Sequence, residues 1–197
     1  KKIITVSREF GSGGRTIGKT VAQRLSIPYY DKELVKQVAL ESGFDPKFIE
    51  EQGEFAPSKN RFAYAFLGRG VPGAMGGMSA SDFLWTIQYR VIRDLADKGP
   101  CVIVGRCADY ILRDDPRRLS VFVHAPLDER VRRAREEYGV QEPNLESFVL
   151  RQDKARASYY NYFATGKWGQ SREYDLCVNS HMGIAAAVAV IKAAALA

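Results

Sequence analysis

Cysteine and histidine are scarce, with three of the first and two of the second in 197 residues. Cys101, Cys107 and Cys177 have no metal-ligand spacing, and an odd number without secretory context offers no disulfide framework. All three read as reduced thiols. His124 closes an apolar run and His181 opens a loop, so both read as structural. Long apolar runs are lacking too. The longest, residues 183–197, is rich in alanine, broken by Lys192 and too short to span a bilayer. It reads as a packed helix, and no membrane partner is expected. No leader pattern opens the chain, which makes the cytoplasm the expected compartment. Internal repeats and low-complexity tracts are absent, and 46% hydrophobic with 26% charged residues excludes disorder and fibrous architectures. What is present in excess is positive charge: a net +6 points to an anionic partner, either a phosphorylated metabolite or a nucleic acid. The length suits one globular unit over residues 1–197.

Lys1-Lys2-Ile3-Ile4-Thr5-Val6 is a short apolar run stopped by Ser7-Arg8-Glu9-Phe10-Gly11-Ser12-Gly13-Gly14, the pattern of a buried strand entering a glycine loop. Ile17, Val21 and Leu25, with Ala22, then form one face of a helix over residues 15–25. Residues 27–30 are a second short strand, and Asp31 reads as the cap of a helix through Leu34, Val35, Val38 and Ala39. Between residues 43 and 80 the periodicity fades into a glycine-rich stretch, the expected inserted mobile segment. Ser81 reads as the N-cap of a helix ended by Gly99-Pro100. Residues 101–104, 119–123 and 175–178 are further short strands, with a helix over residues 127–138 carrying Pro126 at its start. Non-alternating strands each followed by a helix predict an α/β fold, a doubly wound parallel five-stranded sheet with helices on both faces.

A strand, a glycine turn and a helix start together surround a phosphate with backbone N–H groups and the positive end of a helix dipole. The pattern G-x-x-x-x-G-K-[ST] occurs over residues 13–20 and would enlist Lys19 with Gly13. That register begins well beyond the strand and interrupts the apolar helix face. The geometric register has Gly11-Ser12-Gly13-Gly14 wrapping the phosphates, with Arg15 and Thr16 opening the helix. Arg15 or Arg8 must then supply the missing lysine's charge as a bidentate donor, and Thr16 becomes the hydroxyl linked to magnesium. The competing reading is a plain turn, but three glycines in four positions exceed what a turn requires.

Three segments resemble a known family: Ser7-Arg8-Glu9-Phe10-Gly11-Ser12-Gly13-Gly14-Arg15-Thr16-Ile17-Gly18-Lys19; Val102-Ile103-Val104-Gly105-Arg106-Cys107-Ala108-Asp109-Tyr110; and Gly166-Lys167-Trp168-Gly169 with Tyr174-Asp175-Leu176-Cys177. They are similar to the cytidylate kinase-like family, relatives of the P-loop nucleoside monophosphate kinases, over nearly the whole chain. Set against true cytidylate kinases, the resemblance implies the geometric register, with Gly14 standing where those enzymes carry the P-loop lysine. Asp31 matches their acidic residue after the second strand. Their substrate-binding Gly-Arg-Asp corresponds to Gly105-Arg106-Cys107, which keeps the arginine for the acceptor phosphate and loses the carboxylate, for which Asp109 would stand in. Their substrate-domain arginine has no match, since that position is Gln37. Asp153 and Arg156, with Arg151 beside them, match the lid motif, and Glu129-Arg130-Val131-Arg132-Arg133 resembles the helix before the lid. Residues 139–172 are thus the expected lid-like region, with residues 159–170 as an extra piece.

The implied chemistry is magnesium-dependent transfer of the terminal phosphoryl group of ATP to CMP, dCMP or a close analogue, with small nucleotides as the partners. Phosphoryl transfer asks for positioning and for cations around a charge-rich transition state. Arg15 is expected on the donor phosphates, Arg106 on the acceptor phosphate, and Arg133, Arg151 and Arg156 closing from the lid, with Asp153 orienting Arg156 or a magnesium-bound water. Arg130, Arg132, Arg133 and Arg135 fall within two helical turns and cannot all face one ligand, so at least two must be solvated. Other readings stay open. The stripe Tyr159-Tyr160-Asn161-Tyr162-Phe163 could stack RNA bases or pack as a helix face, and the chain could bind nucleotide without catalysis.

Overall fold

β-Branched residues dominate the first strand, β1 (Ile3–Arg8), and all six of its side chains are buried. A run of this kind cannot stand at an exposed edge, and in this computed structural model, which describes residues 2–43, 49 and 79–197, β1 is the central strand. β2 (Tyr29–Tyr30), β3 (Val102–Val104), β4 (Arg118–His124) and β5 (Leu176–Asn179) complete one sheet in the order β2-β3-β1-β4-β5. Every pairing is parallel, with Ile4 opposite both Val102 and Leu119.

The predicted doubly wound fold is the one observed. Helices α1 (Gly14–Leu25) and α7 (Ile184–Leu196) cover one face, where Ile17 and Val21 meet Ile4, Val6, Val104 and Val121 together with Val188 and Ile191. On the other face, α2 (Lys32–Ser42), α3 (Ala80–Asp97) and the short α4 (Ala108–Ile111) bring Leu34, Val38, Val91 and Ile92 against Ile3 and Ile103. Neighbouring residues of β1 thus feed opposite cores, as the pleat requires. Each fully buried aliphatic side chain contributes about 1.5–3 kcal/mol relative to exposure.

Two caps differ from expectation. The N-cap of α3 is Ser79, two residues before the expected Ser81: its Oγ accepts from the Asp82 N–H at 3.1 Å and donates to the Asp82 carboxylate at 2.6 Å. Asp31 occupies the N-cap position of α2 but makes no side-chain cap bond, because its carboxylate is held by Arg15. Apart from its ends and Ile49, the insert expected at residues 43–80 lies outside the described residues. Burial pushes the Cys101 thiol up to about 11, which leaves it protonated and inert at neutral pH. No helix among the described residues is long and apolar enough to cross a membrane.

α5 (Leu127–Glu136) and α6 (Leu145–Phe163) lie beyond the carboxyl ends of β1 and β4, the edge where open parallel sheets collect ligands. Their small core of Ala134, Leu145 and Val149 packs on Phe10, so the loop leaving β1 is built into this pair of helices.

Candidate active site

The loop between Arg8 and α1 turns back on itself by means of two left-handed glycines, Gly11 and Gly13, both at φ +79°. A Cβ at Gly11 would lie 2.5 Å from the Arg130 carbonyl oxygen, so the loop and α5 approach to a distance that only glycine permits. Behind the loop, Arg133 donates to the Gly11 carbonyl at 2.6 Å, and Asp153 of α6 accepts the Phe10 N–H at 2.7 Å. Arg130 pairs with Asp153 and stands 3.4 Å from Glu9. Ser12 is turned inward, donating to the Glu9 carbonyl and accepting through its own carbonyl from Ser180. These contacts hold the loop open toward the other side, where the first-turn N–H groups of α1 have no intrahelical acceptor.

That side is a cleft of about 300 Å³, at the lower end of the range of small-molecule sites. Gly11, Gly13 and Gly14 form its floor; Arg8, Arg15 and Arg156 bring positive charge; Phe10, Tyr138 and Val140 add an apolar wall. The Phe10 ring meets Tyr138 edge-on at 5.9 Å and carries the Arg156 guanidinium 5.5 Å from its centroid. Arg15 is half exposed and grips Asp31 through two bonds of 2.7 and 3.1 Å. Thr16 lines the cleft beside them.

A second, much tighter pocket of about 20 Å³ lies on the inner side of Arg8 and Arg156, which line both. Its far wall is the turn after β3, where Gly105, Arg106 and Cys107 are successive left-handed residues at φ +70°, +60° and +53°. Two adjacent non-glycine residues in that region store strain, a cost met where the backbone must present a side chain in one direction. Arg106 is buried; its guanidinium donates to the Ile49 carbonyl at 2.8 Å, and its own carbonyl accepts from Gln88, which also donates to the Tyr159 hydroxyl. Tyr159, Tyr160 and Trp168 supply aromatic walls. At this size the pocket holds about one water molecule, so the phosphoryl end of an acceptor must widen it to enter.

The structure sorts the expected residues. Arg8, Gly11, Gly13, Gly14, Arg15 and Thr16 share the outer cleft, Arg106 lines the inner pocket, and Arg156 lines both. Lys19 is exposed farther along α1, outside the cleft, while Gly18 lies against Val102, Val104 and Tyr29 of the sheet. The register over residues 13–20 therefore sets its lysine away from the loop. Arg133 and Ser12 brace the loop from behind. Arg151 is exposed and sits 5.9 Å from the Phe148 ring, lining neither pocket. Asp153 serves Phe10 and Arg130 at close range, with Arg156 at 3.9 Å. Asp109 is wholly buried behind the inner pocket, where the hydroxyls of Ser7 and Tyr160 reach it; burial raises its carboxyl above the usual carboxylate range. It therefore does not replace the missing carboxylate at the pocket wall. Most of the aromatic stripe is a packing face: Tyr159 and Tyr160 are buried and Phe163 stacks on Trp85 at 4.2 Å, while Tyr162 is 57% exposed.

Sequence alone assigns no site role to Phe10, Tyr138 and Val140 and leaves Arg130 as one of four arginines on its helix. Arg130 and Arg133 were separable from Arg132 and Arg135 by their i, i+3 spacing, but which pair faced inward depended on how α5 docks. Tyr138 lies beyond the end of α5 and carried no periodic signal.

Among the described residues there is no cluster of three or more His, Cys, Asp or Glu side chains able to cage a metal. The Thr16 hydroxyl in the outer cleft fits magnesium held chiefly by phosphate oxygens and water, the usual arrangement at nucleotide sites.

The family model for the cytidylate kinase-like family matches residues 3–182. Among solved structures, an uncharacterized protein from Eubacterium ventriosum ATCC 27560 is 29% identical, with TM-score 0.73 over 99% of this chain and 98% of that one. A gluconokinase from Sinorhizobium meliloti 1021 is 17% identical, with TM-score 0.57 over 99% of this chain and 91% of its own. The shikimate kinase from Acinetobacter baumannii in complex with shikimate is 14% identical, with TM-score 0.55 over 98% and 92%. The last two share the fold. No curated protein matches the chain in sequence.

Proposed function

The chain belongs to the cytidylate kinase-like family, and from that premise we propose that it transfers the terminal phosphoryl group of ATP to a pyrimidine nucleoside monophosphate such as CMP or dCMP. The observation that carries this reading is the pair of cavities sharing Arg8 and Arg156. A donor on the glycine loop and an acceptor against Arg106 would meet at those two guanidinium groups, where charge develops in the transition state.

Each part of the chain has a task in this reading. The backbone of Gly11, Gly13 and Gly14 cradles the donor phosphates, with Arg15 on their outer side held by Asp31. Phe10, Tyr138 and Val140 offer the base an apolar wall. Arg106 draws in the acceptor phosphate, and Arg156 closes over the reacting group. Residues 139–172, with α6 at their centre, form the lid that excludes water as a competing acceptor. Magnesium, when bound beside Thr16, neutralises charge on the phosphate oxygens.

The test is a panel. Purified protein with ATP and magnesium is offered each nucleoside monophosphate, shikimate and gluconate in turn, and ADP release is read against a no-acceptor control. A pyrimidine monophosphate should raise release well above the control. If only shikimate or gluconate does so, the acceptor assignment fails while the kinase reading stands.

A further inference from the structure

The P-loop pattern carries its first glycine six positions before its lysine. In the register the fold adopts, with Gly13 as the second glycine and α1 opening at Gly14, the lysine position is Gly14 and the first glycine position is residue 8. Both are changed: a glycine stands where the lysine belongs, and Arg8 where the first glycine belongs. The structure shows that these two departures are one. A Cβ at Gly14 would lie 2.6 Å from the Arg8 Cβ and 3.0 Å from its Cγ, so a side chain at residue 14 and the arginine at residue 8 exclude each other. The next neighbour of that Cβ is Val123 at 3.5 Å, an ordinary contact, and residue 14 has no left-handed φ that would demand glycine.

We propose that Arg8, the last residue of β1, is the cation of this phosphate loop, having exchanged places with the lysine of the usual pattern; the proposal rests on the phosphoryl-transfer reading above. The side chain crosses over Gly14 and lines both the outer cleft and the inner pocket. A lysine on α1 acts as a point charge on the donor. A guanidinium at the strand end is a planar fork that can bridge donor and acceptor oxygens at once. The cation is thereby moved from the helix to the sheet, between the two substrates.

Three variants test the exchange: Arg8→Met, which keeps an aliphatic stem over Gly14; Gly14→Lys; and the double variant Arg8→Gly with Gly14→Lys. ATP affinity by calorimetry, acceptor-dependent ADP release and thermal midpoint are measured for each. Arg8→Met should hold its midpoint near wild type and lose about a hundredfold or more in kcat/KM. Gly14→Lys alone should lower the midpoint through collision with Arg8. The double variant should fold and regain at least about tenfold over Arg8→Met, a rescue that a merely structural arginine would not allow. Arg8→Met within about threefold of wild type, or a folded double variant no better than Arg8→Met, overturns the proposal and leaves the kinase reading intact. If no acceptor supports turnover, the kinase reading fails and ATP affinity alone decides: weakening by about tenfold in Arg8→Met with rescue in the double variant supports the exchange, and unchanged affinity or no binding by wild type overturns it.

Discussion

Asp109 is the most confined acid among the described residues, wholly buried behind the inner pocket with hydroxyls of Ser7 and Tyr160 reaching it. Burial outweighs those bonds and raises its carboxyl from 3.8. Above 3.8 the unfolded chain releases a proton that the folded chain keeps, so folding loses stability as pH climbs toward the raised value. Asp109→Asn carries no such proton; its thermal midpoint relative to wild type should therefore increase as pH is taken upward through that window. A flat or falling difference would mean that the carboxyl is ionised in the fold. Asp153 is the opposite case, an acid with firm partners, accepting from Phe10 and pairing with the buried Arg130. Asp153→Ala leaves that guanidinium without its closest partner and should cost about 3–5 kcal/mol. Urea unfolding with an unchanged slope would register it as a lower midpoint, and Asp153→Asn, which can still accept from the Phe10 N–H, should lose less. Equal, negligible losses in both variants would remove the loop brace described here.

The glycine loop behaves as one element with α5 and α6, because its backbone is tied to Arg133, Arg130 and Asp153. Gly11→Ala would force a Cβ onto the Arg130 carbonyl at a φ of +79°, so loop and helix must part. The expected outcome is a loss of at least about 1–2 kcal/mol of stability together with loss of ATP binding; retained ATP affinity would show that the loop does not need this approach to α5. At this scale the strands were easy to read from the sequence, since a parallel strand buried on both faces is a continuous apolar run, and residues 3–6 and 119–123 stand out as such. The loop was readable as a phosphate cradle from its glycines. Its bracing was not, because Asp153 is 143 positions from Phe10 and only the docking of α6 brings them together. The Asp31 cap reading failed for a related reason: Arg15, sixteen residues away, offers two bonds where a helix N–H offers one.

For the molecule as a whole, the sheet order makes β1 the neighbour of both β3 and β4, so the loop after β1 meets Arg106 on one side and the arginines of α5 on the other. Resemblance to kinase motifs singled out Arg106 and Arg156; that Arg8 would stand between them, lining both cavities, required the three-dimensional arrangement. The acceptor was the least legible feature, because its pocket draws residues from Ser7 to Trp168 and the wall carboxylate of the related enzymes has no counterpart at Cys107. The claim on which all else depends is that the turn after β1 holds a nucleoside triphosphate with no lysine in its usual place. The most direct measurement is a calorimetric titration of the wild-type protein with ATP and magnesium. The account predicts saturable, single-site binding with a Kd on the order of 1 μM to 1 mM, the span in which enzyme KM values usually fall. Absence of any saturable heat across that range, with the protein folded, would contradict it.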